Sequence, residues 1–191
     1  MADKVYTCIG ARNFAKTDRQ KEDFYATDPK AIHLLCEVEK FNSVILEPCC
    51  GQGHMAEVLK EHQYNVTSFD LYDRGYGEVK DFFEITHWDG DIITNPPYKN
   101  ALAFVKHSLD IVNEGAKVAM LLRTLFLEGK ERGKWMVENP PKYIYVFSGR
   151  ISCYKDGDFL NIKGSGAISY SWFIWEKGYK SEPKVRWLNY D

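Results

Sequence analysis

The chain has 191 residues, 45% hydrophobic and 27% charged, enough for one well-buried core and too few for two domains of ordinary size. A net charge of −2 excludes a protein that holds a polyanion by its overall field. No apolar stretch approaches the roughly 20 residues that cross a bilayer, and the opening MADKVYTCIG lacks the apolar core of a signal peptide. A cytoplasmic protein without membrane contact is therefore expected. Cys8, Cys36, Cys49, Cys50 and Cys153 form no CxxC pair, so neither disulfides nor a metal site built from Cys49 or Cys50 with His54 is expected. Charge is uneven: residues 1–122 hold 13 Lys/Arg against 19 Asp/Glu, and residues 123–191 hold 12 against 8. A polyanionic partner would meet the C-terminal third; a solvated basic face is the other reading.

Residues 1–23 are polar and aperiodic and read as an N-terminal arm, ahead of a single domain over 24–191. Pro29 suits the first turn of a helix carrying Ile32, Leu35, Cys36 and Val38 on one side. SVILEP is a short strand ended by proline, followed by a glycine loop and a helix with Met55, Val58 and Leu59 at helical spacing. YNVTSFD is a second strand, a weaker third is expected near VKDFF, and DIIT is the fourth. A helix from about Ala101 to Val112, the strand KVAMLLR, an amphipathic helix in GKERGKWMVEN and the strands KYIYVF and AISYSWFIWE complete the series. Strands separated by helices predict an α/β protein, a mostly parallel sheet with helices on both faces. Trp172, Phe173 and Trp175 read as core, because both faces of their strand are largely apolar.

EPCCGQG joins the first strand to its helix, with Gly51 and Gly53 where the backbone must turn sharply and approach a ligand. The GxGxxG fingerprint is incomplete and the GxxxxGK[ST] pattern is absent. The loop also opens on an acid, Glu47, which would repel a diphosphate and accept from an ammonium group. Asp70 closes the second strand, where an acid can accept both hydroxyls of a ribose or simply turn the chain. Together Glu47, Gly51, Gly53 and Asp70 suit a nucleoside with a cationic amino-acid tail, which describes S-adenosylmethionine. Asp81 and Phe82, at the end of the third strand, could receive and cover its adenine; core packing explains Phe82 and Phe83 equally well.

The fourth strand stops in Asn95-Pro96-Pro97-Tyr98. Asn-Pro starts turns, and the second copy, Asn139-Pro140-Pro141, reads as a helix stop. The first copy differs in having a buried strand behind it and a ring ahead. With this motif downstream of Glu47-Pro48-Cys49-Cys50-Gly51-Gln52-Gly53, the chain from about 24 to 175 resembles the S-adenosylmethionine-dependent amino-methyltransferases. It looks most like the adenine-specific (N6) DNA methyltransferases with an NPPY motif.

The resemblance implies a Rossmann-like methyltransferase fold with a seven-stranded sheet, and S-adenosylmethionine as cofactor. It implies cofactor contacts from Tyr25 and Thr27, next to Phe24, and from Pro48, Cys49, Leu71 and Asn95 besides the residues above. Catalysis would fall to Asn95, Pro96, Pro97 and Tyr98. The Asn95 side-chain oxygen and the Pro96 carbonyl would accept the two hydrogens of a conjugated amine and turn its lone pair toward the methyl donor, while Tyr98 stacks on the flat target. Lys99, Arg123 and Arg150 are expected to meet the substrate, with Thr124, Lys130, Arg132 and Lys134 nearby. No separate target-recognition domain fits the chain, so a second copy or a specificity partner is a further expectation. The favoured target is the adenine amino group of DNA; RNA bases and a protein glutamine amide share its planar chemistry, and a silent binding module with the same fold is the alternative of another class.

Overall fold

A computed structural model describes residues 26–151, 153–154 and 168–190. Phe24, Tyr25, the arm over 1–23 and most of the loop YKDGDFLNIKGSG lie outside these residues. The chain opens with β1 (Ala26–Thr27), followed by α1 (Pro29–Val38). Asp28 caps this helix by accepting the Lys30 N–H at 3.0 Å, and Pro29 stands at the first helical position, where no donor is missed. One side of α1, through Ala31, Ile32, Leu35 and Cys36, is buried.

Next come β2 (Val44–Glu47), α2 (His54–Glu61), β3 (Asn65–Asp70), β4 (Glu78–Val79), β5 (Asp91–Thr94) and α3 (Ala101–Ile111). The second half holds β6 (Lys117–Arg123), α4 (Lys130–Glu138), β7 (Tyr143–Phe147), β8 (Cys153–Tyr154), β9 (Tyr170–Glu176) and β10 (Lys184–Leu188). The main sheet has the order β10-β7-β9-β6-β5-β2-β3-β4, and β9 runs antiparallel to both neighbours while the other pairings are parallel. A two-residue ladder joins β1 to β8. Two buried clusters flank the sheet: Ile32, Leu35, Ile45, Leu59 and Trp172 lie in one, and Leu46, Ile92, Val105, Met120 and Phe173 in the other. Helices therefore cover both faces, as βαβ alternation requires.

Two expectations need correction. The sheet has eight strands among the described residues, because KVRWL adds the edge strand β10 beside β7. Its first four residues are exposed, so it shows neither an apolar run nor an inside-outside alternation. The strand near VKDFF shrinks to Glu78–Val79; Phe82–Glu84 instead form a 3-10 turn capped by Asp81, whose Oδ1 accepts the Phe83 N–H at 2.9 Å. Trp172, Phe173 and Trp175 are buried, and α4 ends at Glu138 just before the second Asn-Pro-Pro, as expected.

Candidate active site

The strand order reverses between β2 and β5: β3 and β4 lie beyond one, β6 and the rest beyond the other. Ligands of open α/β sheets bind outside the carboxyl ends of strands at such a switch point. Here the two ends carry Glu47-Pro48-Cys49-Cys50 and Asn95-Pro96-Pro97-Tyr98, and both line one cavity of about 310 Å³. Thr27, Asp70, Leu71, Asp81 and Phe82 line it as well.

Glu47 is 2% exposed, and its Oε2 is buried without a hydrogen-bond partner. Burial, and then the neighbouring Asp70 carboxylate, push its pKa well above the usual carboxylate range, while the Ala56 backbone N–H pulls it back. Asp70 is held on both oxygens: Oδ2 accepts the Gly51 N–H at 2.9 Å and Oδ1 the Tyr72 N–H at 3.0 Å. Arg74 Nε stands 3.6 Å from Asp70 Oδ1. Each carboxylate oxygen has a second lone pair, so the acid keeps acceptor capacity in a fixed orientation. Burial, then Glu47 and Asp70, push the Cys50 thiol up to about 12, and burial and Asp70 push Cys49 up too, which disfavours the thiolate at both.

At the other wall, Asn95 Nδ2 donates to Thr27 Oγ1 at 3.0 Å. This bond ties the segment before α1 to the motif and helps fix the orientation of the Asn95 amide. Tyr98 opens a 3-10 turn leading into α3, and its ring lies 4.7 Å from the Arg123 guanidinium carbon and 5.7 Å from the Tyr170 ring.

Several expected residues sit elsewhere. Gly51 and Gly53 do not line the cavity. Gly51, at φ 54°, aims its N–H at Asp70, and an added Cβ at Gly53 would lie 2.5 Å from the Tyr76 ring, so the room over Gly53 belongs to the loop after β3. Lys99 is exposed and outside the cavity. Arg123 lies outside the cavity and touches its wall at Tyr98, and Arg150 lines a separate depression that also includes Tyr170. Phe82 is buried and stacked on Phe104 at 5.2 Å, leaving the 44% exposed Phe83 as the accessible ring of that wall. Ala26, His54, Met55, Tyr72, Arg74, Asn100 and Phe104 complete the lining. For most of them, nearness in the sequence to the glycine loop, Asp70, Asn95 or Thr27 is the one signal; Phe104, inside α3, has none. Among the described residues no His/Cys/Asp/Glu group is arranged to hold a metal, and no helix is long and apolar enough to cross a membrane.

No family model and no curated protein sequence matches the chain. Solved structures do. A type I restriction-modification methyltransferase subunit of Streptococcus thermophilus aligns with TM-score 0.60 and 13% identity over 87% of this chain and 47% of its own. A protein of Listeria monocytogenes assigned as a class I S-adenosylmethionine-dependent methyltransferase gives 0.57 and 15%, over 91% and 68%. One from Pyrococcus horikoshii assigned as an RNA methyltransferase gives 0.57 and 15%, over 85% and 90%. The chain has the class I methyltransferase fold. The cavity at the carboxyl ends of β2 and β5 joins residues Glu47, Pro48, Cys49 and Cys50 and the motif at Asn95 across the switch point.

Proposed function

We propose that the protein transfers a methyl group from S-adenosylmethionine to a planar exocyclic amine of a nucleic-acid base, with the adenine N6 of DNA favoured. The observation that carries this reading is the single cavity shared by Glu47, Asp70 and the Asn95-Pro96-Pro97-Tyr98 turn. The fit to the cofactor rests on the unpartnered, buried Glu47 oxygen, which suits an ammonium group, and on Asp70, whose fixed carboxylate suits ribose hydroxyls. When bound, S-adenosylmethionine supplies an electrophilic methyl on a sulfonium.

The chain's own residues do the rest. An amine conjugated to a purine has its lone pair spread into the ring and attacks poorly. Asn95 Oδ1 and the Pro96 carbonyl accept the two amine hydrogens, drawing the nitrogen toward a tetrahedral shape, and the prolines stiffen the turn that holds both acceptors. Tyr98 offers a stacking surface that recovers part of the cost of unstacking the base. The proton passes to water as the amine gains its methyl and becomes acidic, so no strong base is required beforehand. The neighbours assigned as an RNA methyltransferase and as a restriction-modification methyltransferase subunit support a nucleic-acid target, as does the basic excess of residues 123–191.

The test is transfer of labelled methyl from S-adenosylmethionine to DNA, RNA and protein in parallel, with identification of the modified nucleoside or residue and with Asn95→Ala as the control. Labelled N6-methyladenine is the expected product. Asn95→Ala is expected to lower transfer by at least about 100-fold, as for loss of one transition-state hydrogen-bonding group, while cofactor affinity changes little. Labelled glutamine in protein alone would redirect the reading to an amide target, and binding without any transfer would leave a silent module.

A further inference from the structure

Tyr98 is backed by a pair of residues that the motif does not contain. Arg123 ends β6 and Tyr170 begins β9, and the two stand directly opposite each other in the antiparallel ladder. Opposed residues of such a ladder project from the same face of the sheet. The ladder end is pinned by the Thr124 N–H on the Ser169 carbonyl at 2.8 Å and by the Thr124 hydroxyl, 3.0 Å from Ser169 Oγ and 2.9 Å from Ser171 Oγ. Onto this fixed pair Tyr98 packs its ring, 4.7 Å from the Arg123 guanidinium carbon and 5.7 Å from the Tyr170 centroid at an interplanar angle of 37°. Tyr98 lines the cavity and its two supporters do not.

We infer that Arg123 and Tyr170 are positioning residues: a back plate that holds the Tyr98 ring from the sheet side and presents its other face to a neutral planar target. The inference rests on the proposed function for its substrate. Arg123 thereby has a role other than the phosphate contact its charge suggests. A guanidinium stacks flat on a ring in a way a lysine ammonium cannot reproduce. Its charge behind the ring also makes the front face less attractive to a cation, which favours a neutral base over a lysine side chain.

The experiment incorporates 3-fluorotyrosine, assigns the Tyr98 resonance with Tyr98→Phe, and records fluorine spectra of the wild type, Arg123→Met and Arg123→Lys without ligand. Both Arg123 variants are expected to shift and broaden the Tyr98 line. In methyl transfer to a random-sequence duplex DNA pool, both should raise KM by about tenfold, a typical loss of one stacking contact, with S-adenosylmethionine affinity and the salt dependence of KM unchanged. An unmoved Tyr98 line overturns the proposal. So does recovery of KM by Arg123→Lys together with a salt slope lowered by about one counterion in Arg123→Met, the signature of a phosphate contact. A wild type that methylates no nucleic acid would defeat the functional reading instead, while the fluorine spectra would still decide whether the back plate exists.

Discussion

Glu47 illustrates how a functional residue is held at a cost in stability. Its carboxyl is almost fully buried, with one oxygen unpartnered and Asp70 nearby, so the native chain holds its proton to higher pH than the unfolded chain does. The pKa is raised from an ordinary 4.5, so the stabilisation linked to that proton is full below about pH 4.5 and is lost as pH rises through the raised native value. Glu47→Gln keeps the neutral shape at every pH. Without ligand it is expected to be more stable than the wild type at pH 8, by about 1–3 kcal/mol, and to match it near pH 4, in urea unfolding at both pH values. The same variant should bind S-adenosylmethionine at least about tenfold more weakly, because the carboxylate that accepts the ammonium is gone. Equal stability at pH 8 would contradict this account of the carboxyl.

Among the elements, the loop after β3 contributes more than its irregular sequence suggests. Tyr76 lies over Gly53, and its hydroxyl donates to Glu57 Oε1 at 2.6 Å and accepts from Lys60 Nζ at 2.7 Å, both on α2. The loop is thus clasped to the helix that follows the glycine turn. Gly53 sits at φ 85°, where an L side chain is strained, and an added Cβ would also strike the Tyr76 ring. Gly53→Ala is expected to cost about 2–4 kcal/mol in urea unfolding, combining left-handed strain with the steric clash. Adding Tyr76→Ala should remove only the steric part, since the backbone strain remains. A single substitution costing no more than an ordinary surface change would refute the clasp. The glycine was legible as a sharp turn, but what occupies the space above it was not, because Tyr76 is brought there by a separate loop.

At the scale of the molecule, a buried polar relay links distant segments. Glu39, at the C-cap of α1 and 5% exposed, accepts from the Tyr145 hydroxyl at 2.8 Å and from Lys117 Nζ at 2.8 Å. Trp172 Nε1 donates to the Ala31 carbonyl at 3.0 Å, joining β9 to the same helix. Tyr145→Phe strips one oxygen of a buried carboxylate of its donor, so a loss of about 1–3 kcal/mol is expected in urea unfolding, with the structure otherwise retained. An unchanged midpoint would mean that water reaches Glu39 in the native state.

By itself, the sequence determined the alternation of strands and helices, the acids that end β2 and β3, and the apolar strand behind Asn95, since periodicity, glycine and proline act locally. It also separated the two Asn-Pro-Pro copies, because the residues on either side of each differ. The tertiary structure alone decided what each group faces. It brought Thr27 to Asn95, Gly51 to Asp70, Tyr76 to Gly53, and Arg123 with Tyr170 to Tyr98, and it placed Arg150 at a separate depression. Those pairings depend on sheet order and on the antiparallel register of β9 against β6, which bring residues far apart in the chain within a few ångströms and leave no local trace.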